Sequence, residues 1–243
     1  MKKSLLAGVA ILVVAATAWA VTNQVSSVNV AGYVKLNIPR NQLCLIRNDF
    51  LPMGPDNTVS NIMAKQLPRD SRVYAWNPVA KNYTICTFTR QFVNPFWRTN
   101  WTFGVTTYLD VGDGFWVFVP TTYASQTNYV LNMLGEVPNN GTSNIPIVQG
   151  LNLVGYSYPV PMVLSNLDIT AKQKVGDRVY KWGGSGYTIA TSTRYFQNPL
   201  WKTNWKPDVT RSMQIGVGEG FWYSRTTNSP GFTWVEVQPY SLE

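Results

Sequence analysis

The chain has 243 residues, a formal net charge of +8 and no histidine. Without histidine, Ser-His-Asp and Cys-His catalysis and every histidine-ligated metal site are excluded, and two cysteines are too few for a thiolate zinc cage or an iron–sulfur cluster. The Lys and Arg residues are scattered rather than gathered into a run, which argues against nucleic acid as a partner. We therefore expect no metal site and no cofactor.

The first twenty residues have the pattern of a secretory signal peptide. Lys2 and Lys3 form a basic region, an apolar stretch from Leu5 to Ala16 follows, and Ala18-Trp19-Ala20 is a cleavage site of the A-x-A type. The apolar stretch is shorter than the roughly 20 residues that cross a bilayer. We expect cleavage of residues 1–20, no membrane insertion, and a secreted or otherwise extracytoplasmic protein: extracellular, at the cell surface or periplasmic.

Cys44 and Cys86 are the only cysteines of the chain. An exported protein usually pairs its cysteines, so a disulfide between them is one interpretation. Two separate buried thiols are the other, because free cysteine packs well in apolar cores. Both interpretations remain open at the level of the sequence.

Short elements with strand and helix patterns follow along the chain. The segment PDNTVSNIMAKQL (residues 55–67) predicts a helix, since Asp56 or Asn57 can cap it and apolar residues recur at helical spacing. RVYAW (72–76) and YTICTFTR (83–90) alternate with a period of two around the turn-forming segment NPVAKN. These two segments predict an antiparallel hairpin.

An internal repeat organises the whole chain. Its longest match extends over nineteen positions without a gap, of which thirteen are identical. The matched segments are RVYAW (72–76) with RVYKW (178–182), YTICTFTRQFVNPFWRTNW (83–101) with YTIATSTRYFQNPLWKTNW (187–205), and VGDGFWVF (111–118) with VGEGFWYS (217–224). A repeat this long, present only twice, predicts two copies of one fold rather than a solenoid.

The repeat also sets the predicted domain boundaries. Residues 21–137 form the first β repeat, residues 138–144 the polar linker PNNGTSN, and residues 145–243 the second β repeat. PMVLSNLDI (161–169) predicts the short helix of the second copy, and GGSG (183–186) its hairpin turn. The predicted fold is mainly β: two tandem antiparallel units, each a sandwich or small barrel with one short helix.

The duplicated block TRxFxNPxWxTNW permits a binding and a structural interpretation. In the first, aromatic platforms and polar groups bind a polysaccharide, and two copies give avidity. The residues in question are Arg90, Trp97, Asn100 and Trp101 in the first copy, and Arg194, Trp201, Asn204 and Trp205 in the second. In the second interpretation, which we favour, Asn-Pro forms a turn and the tryptophans cover a small core.

Carboxylates offer little support for catalysis. Asp113 and Glu219 recur between glycines in GDGFW and GEGFW, where a tight turn before an apolar strand is the simplest explanation. Calcium requires several oxygen ligands, and glycoside cleavage requires a pair of acids; neither set is apparent. We expect a protein without catalytic residues.

Several motifs resemble a family of exported two-repeat proteins. They are VNVAGYVKLNIP (28–39), VYxWxxxGYT, VGEGFW and GEV. The family is found in environmental bacteria of the planctomycete–verrucomicrobia group and has no assigned activity or functional residues. The resemblance therefore implies an exported β-rich fold and carries no site with it.

The strand-like segments at both ends of the chain suggest how such a protein could act. Exposed strand edges can pair with a neighbour, and head-to-tail pairing builds open filaments. We therefore expect a structural protein that binds other copies of itself through its terminal strands in an extracellular or envelope filament or matrix. The alternative is a carbohydrate-binding module whose partner is a polysaccharide or an acidic cell-surface polymer, toward which a basic chain is attracted.

Overall fold

The computed structural model describes residues 30–197 and 200–242. The predicted signal peptide and the Asn198-Pro199 turn lie outside the described residues. The described chain is mainly β, as predicted, with two short α-helices. None of the helices within those ranges is long and apolar enough to cross a membrane.

The elements of the first half extend to Glu136. They are β1 (Ala31–Pro39), β2 (Leu43–Arg47), α1 (Val59–Met63), β3 (Arg72–Asn77), β4 (Asn82–Val93), β5 (Phe96–Trp101), β6 (Gly114–Phe118) and β7 (Asn128–Glu136).

The elements of the second half begin at Thr142. They are β8 (Thr142–Ile147), β9 (Gly150–Gly155), β10 (Met162–Val163), α2 (Asp168–Ala171), β11 (Arg178–Trp182), β12 (Tyr187–Gln197), β13 (Leu200–Lys206), β14 (Gln214–Ile215), β15 (Gly220–Arg225) and β16 (Phe232–Val237). Two 3₁₀ turns, Leu164–Asn166 and Asp208–Ser212, complete this half.

The two halves have corresponding sheets. A five-stranded antiparallel sheet in each half has the order β2-β6-β3-β4-β5 in the first and β9-β15-β11-β12-β13 in the second. A two-stranded sheet then closes each half, β1 with β7 and β8 with β16, so that the first and last strands of each half are partners. This correspondence is what duplication of one unit would produce.

Each five-stranded sheet is covered on both faces. One face carries Val73, Phe115 and Val117 in the first half and packs on β1, β7 and α1; the second half has an equivalent core. The opposite faces of the two sheets meet in a third cluster that contains Trp116 and Trp222. Burial on both faces explains why GFWVF in β6 is an unbroken apolar run rather than an alternating one.

The contacts between the two sheets are reciprocal. Trp76 Nε1 donates to the carbonyl oxygen of Leu151 at 2.9 Å, and its counterpart Trp182 donates to the carbonyl oxygen of Leu43 at 2.8 Å. The Trp76 ring lies edge-on to Trp222, and Trp182 lies edge-on to Trp116 at nearly the same separation. The indole N–H of each of these tryptophans is thus satisfied by the other half, as in an isologous interface.

The two Gly-acid-Gly turns also join the halves. Gly112 and Gly218 have φ angles of 89° and 73°, a region that glycine adopts without strain. The carbonyl oxygen of Gly112 accepts from the N–H of Gly155 at 2.7 Å, and that of Gly218 accepts from the N–H of Arg47 at 3.0 Å. Each turn therefore hydrogen-bonds to the first sheet strand of the other half.

The acids in these turns have structural partners. Asp113 Oδ2 accepts from the N–H of Asp110 at 2.9 Å, and Glu219 Oε2 accepts from the N–H of Gly216 at 2.7 Å. Glu219 also pairs with Lys181 at 2.8 Å. In both halves the acid closes the turn that precedes the strand, which agrees with the structural interpretation of GDGFW and GEGFW.

Of the two interpretations that the sequence left open, the disulfide is excluded, because Cys44 and Cys86 are both free. The register explains why. Cys44 lies opposite Val117, Val117 opposite Val73, and Val73 opposite Cys86, so three strand intervals separate the cysteines. At about 4.8 Å per interval their Cα atoms are roughly 14 Å apart. A disulfide needs Cα atoms within about 7 Å of each other.

Other local predictions have mixed outcomes. Both hairpin turns are present, but the first helix is confined to Val59–Met63. The segment predicted as the second helix instead begins with β10, because Met162 and Val163 pair with β14, and helix α2 starts only at Asp168. The end of the predicted linker also differs, since β8 already begins at Thr142.

Candidate functional site

The duplicated block forms two projecting hairpins. We call β4–β5 from residue 88 to 101 the first arm, and β12–β13 from residue 191 to 206 the second arm. β4 has twelve residues, and its first part pairs with β3. From Thr89 onward, β5 is its only partner strand among the described residues. Every residue from Arg90 to Arg98 is exposed, so both faces of the first arm meet solvent at its end. Asn94-Pro95 forms the turn, as predicted.

Two of the predicted platforms belong to the core. Trp101 is 3% exposed and donates from Nε1 to the carbonyl oxygen of Ala64 at 2.7 Å. Trp205 is fully buried and donates to Thr170 Oγ1 at 2.9 Å. Neither ring can stack on a ligand from this position, so the structural interpretation holds for these two residues and the binding interpretation is wrong.

The two predicted asparagines also serve the fold. Asn100 Oδ1 accepts from the backbone N–H of Trp101 at 2.9 Å, and Asn204 Oδ1 accepts from that of Trp205 at 2.8 Å. Each asparagine thereby fixes the backbone next to the buried tryptophan. This leaves only the amide NH₂ group of each for another partner.

The end of the first arm is different, because its aromatic residues are exposed. Trp97 is 58% exposed, the Arg90 guanidinium lies 4.9 Å from its ring centroid, and the Phe92 ring lies 5.2 Å away. The structure thus brings the predicted residues Arg90 and Trp97 together in one exposed cluster. Aromatic and aliphatic neighbours on the two arms are exposed as well: Val93, Phe96, Phe196 and Leu200.

The arms are basic as well as apolar. Neither contains an aspartate or a glutamate, and their five cations are Arg90, Arg98, Arg194, Lys202 and Lys206. Arg194 is exposed on the second arm, and the backbone of Trp201 pairs with Phe196; the Trp201 side chain lies outside the described part. An apolar tip with cations and no acids suits a polymer that carries negative charge.

A second feature lies at the strands that close each half. In the first half, residues of β7 hydrogen-bond to other parts of the molecule on the side away from β1, and we call this edge sealed. Glu136 and Leu51 exchange two backbone hydrogen bonds of 3.0 Å. Gln66 donates from Nε2 to the carbonyl oxygen of Asn132 at 2.9 Å and accepts at Oε1 from its N–H at 2.8 Å. The glutamine amide thus occupies the place of a further strand.

The outer edge of β16, the corresponding strand, is open. Gln238 donates from its N–H to Gly141 next to β8, so the backbone groups of Thr233, Val235 and Val237 alternate to the other side. Within the described residues these outward groups have no hydrogen-bond partner. They line a cavity of about 820 Å³ whose far side includes α2. β16 is therefore an unpaired strand edge beside a preformed space.

One buried carboxylate lies at this cavity. Glu236 Oε1 accepts from Trp234 Nε1 and from the backbone N–H of Asp168, both at 2.6 Å. Burial raises the pKa of Glu236, and the two hydrogen bonds partly oppose that rise. With both bonds supplied by the scaffold, Glu236 holds α2 against β16.

Sequence reasoning missed the glutamine that differs between the halves. Ala64-Lys65-Gln66 recurs as Ala171-Lys172-Gln173, a match that could have been noticed. Gln66 seals β7, whereas Gln173 is 7% exposed and its Oε1 has no partner in the described chain. Gln173 lines a second cavity, of about 600 Å³, between α2 and the second arm. The same short motif thus has two different environments.

Among the residues that the structure describes, no group of three or more His, Cys, Asp or Glu side chains lies close enough together to hold a metal ion. Comparison with known proteins found no match among protein-family models, curated proteins or solved structures.

Proposed function

We propose that the protein is a non-catalytic component of an extracytoplasmic assembly, whose copies associate by adding a strand to the open edge of β16. The observation that carries this proposal is the contrast between β7, whose edge is sealed, and β16, whose edge is unpaired beside a cavity. Unpaired strand edges are templates for strand addition, in which backbone hydrogen bonds supply the affinity. The signal-peptide pattern of residues 1–20 supports a location outside the cytoplasm.

The strand pairing inside the molecule limits which strand edge another copy could bind. β1 pairs with β7 over nine residues and β16 pairs with β8, so neither terminal strand is wholly free. The edge of β16 is the surface that remains for an extended segment of another copy. If the β16 edge of one copy binds a segment other than β16 in the next copy, the contact is head-to-tail. Repetition of that contact extends a filament or matrix.

Proline at position 235 tests the proposal. The N–H of Val235 faces away from β8, so Val235→Pro removes a group that an added strand needs and leaves the β8–β16 ladder in place. Leu134→Pro is the matched control, because it removes the corresponding outward N–H from the sealed strand β7. The readouts are light scattering after size exclusion, and negative-stain microscopy, of the mature protein.

We expect the wild type and Leu134→Pro to assemble as their concentration rises, and Val235→Pro to stay monomeric with a similar melting temperature. A wild type that elutes as a monomer at every concentration would refute the proposal. So would assembly of Val235→Pro at the wild-type concentration.

A second candidate function is binding of an acidic polysaccharide through the arms. It is favoured by the exposed Trp97 cluster and by the absence of acids from both arms. Two arms on one molecule would give avidity on a polymer. The test is retention on insoluble acidic and neutral polysaccharides, with Trp97→Ala plus Trp201→Ala as the variant. Lost retention with an unchanged melting curve supports the function; retention equal to the wild type contradicts it.

A further inference from the structure

We infer that the second half contains a binding site for a negatively charged sugar unit, in the cavity of about 600 Å³ between α2 and the second arm. The side chains that carry the inference are Ser165, Gln173, Lys202, Thr203 and Asn204. This site goes beyond the assembly proposed above, because its residues lie off the edge of β16. The two cavities share the lining residues Ser165, Thr170 and Ala171.

Gln173 is the observation that points to a ligand. Its side chain is more than nine-tenths buried, yet Oε1 finds no hydrogen-bond partner in the described residues. An unsatisfied buried acceptor costs about 1–3 kcal/mol. The equivalent Gln66 avoids that cost by bonding to Asn132 through both amide atoms. A hydroxyl group of a bound ligand would supply the missing donor to Gln173 Oε1, provided that the amide turns toward it.

The amide can turn toward such a group. The terminal torsion of glutamine is broad, with two comparable orientations, so little rearrangement exchanges Oε1 and Nε2. Gln173 lines the cavity, so an amide turned in this way would present Oε1 to a ligand bound there. The amide therefore matches a ligand that offers hydroxyl donors at the wall of the site.

The other side chains at the cavity determine which ligand charge it favours. Lys202 is exposed at the cavity and has no ion pair in the described part of the chain, and no carboxylate lines the space. Asn204 has its oxygen engaged by Trp205, so its NH₂ group remains as a donor. Ser165 and Thr203 add hydroxyls. A cation, an amide donor and hydroxyl groups together fit a carboxylated sugar such as a uronic acid.

The first arm provides a natural control. Arg98, Thr99 and Asn100 are the counterparts of Lys202, Thr203 and Asn204, but the glutamine beside them is already bonded to β7. We therefore place the site in the second half only.

Calorimetric titration of the mature protein with trigalacturonate, and with its neutral methyl ester, tests the site. We expect one saturable site for the acid and binding weaker by about tenfold for the ester, equivalent to about 1.4 kcal/mol. Lys202→Gln is expected to weaken acid binding about tenfold, and Arg98→Gln to leave it unchanged. Gln173→Leu is expected to weaken binding of both forms while the melting temperature stays the same or rises, because no buried acceptor is left unpaired.

Four results would overturn the inference: no saturable binding, equal affinity for acid and ester, wild-type affinity in Gln173→Leu, or the same loss from Arg98→Gln as from Lys202→Gln. Val235→Pro separates this site from assembly, since it should bind trigalacturonate as the wild type does. Assembly and sugar binding can therefore fail independently.

Discussion

The strands β7 and β16 occupy the same place in the two halves, yet one has a sealed edge and the other an open edge. Gln66 and Leu51 fill the edge of β7, whereas the corresponding side of β16 borders a cavity. Within the described residues their counterparts in the second half, Gln173 and Pro159, make no hydrogen bond to β16. The difference teaches that two units with corresponding sheets can differ at one strand edge, which is hydrogen-bonded within the molecule in one unit and borders a cavity in the other.

The halves also differ in their buried charges. Arg47 and Asp49 form a buried pair at the junction, and Arg47 donates to the carbonyl oxygens of Tyr156 and Tyr158 across it. Position 155, the counterpart of Arg47, is glycine, because a Cβ there would collide with the arginine side chain. The second half has its own buried pair of Arg225 and Asp177 instead. Equal backbones thus support unequal polar interiors.

The largest effect is expected from Arg47→Ala. It leaves Asp49 buried without its cation and two carbonyl groups of the other half unpaired, so we expect a loss of about 3–5 kcal/mol in the free energy of unfolding. Urea unfolding measures it. The double variant with Asp49→Ala should recover part of the loss. A loss below about 1 kcal/mol would show that the junction does not depend on this pair.

The next largest difference is expected between a buried and an exposed tryptophan of the repeated block. Trp205→Ala empties a fully buried position and removes a hydrogen bond to Thr170, so we expect a cost of about 3–5 kcal/mol. Trp97→Ala removes an exposed ring and should change stability by less than about 1 kcal/mol. Thermal and urea unfolding of both variants provide the comparison, and similar losses would contradict the division into core and exposed tip.

The equivalent glutamines give a sharper comparison of the halves. Gln66→Leu leaves the N–H and carbonyl of Asn132 without partners and should cost about 1–3 kcal/mol. Gln173→Leu removes an unsatisfied acceptor and should be neutral or slightly stabilising. We expect the melting temperature to fall in Gln66→Leu and to stay the same or rise in Gln173→Leu. Equal losses in the two variants would mean that Gln173 has a folding role.

The smallest effect concerns pH. Burial raises the pKa of Asp113 to about 6, above its ordinary value, so the native state binds this proton more tightly than the unfolded chain. Stability from this group is fully present below pH 4 and is lost as the pH rises through 6. Asp113→Asn should therefore flatten the fall in unfolding free energy between pH 4 and 7. An unchanged pH profile would contradict it.

The sequence predicted the features that depend on local pattern. The period of two in RVYAW and YTICTFTR identified β3 and β4, and the Asn-Pro turn located the end of the first arm. The sequence left the state of the cysteines open, because the spacing of Cys44 and Cys86 along the chain does not reveal that two strands lie between them. Pairing of Met162 with Ile215 likewise overrode a local helix pattern.

The candidate site was predicted only in part. The block indicated aromatic residues, and Trp97 and Trp101 lie on the same face of β5 because they are four residues apart. Trp101 is buried and Trp97 is exposed because the arm extends beyond the core, and the sequence does not show where β4 leaves β3. The open edge of β16 could not be predicted, since it depends on where Gln173 lies relative to a strand some sixty residues later. The recurring Ala-Lys-Gln was the available signal.

The crossed indole bonds of Trp76 and Trp182 have a consequence for the origin of the chain. A single unit of this kind would expose a face of tryptophan and tyrosine with an indole donor aimed at nothing. Two identical units could cover that face for each other with the same pair of bonds. The reciprocal bonds are therefore the arrangement that a self-complementary dimer of a single unit would also make.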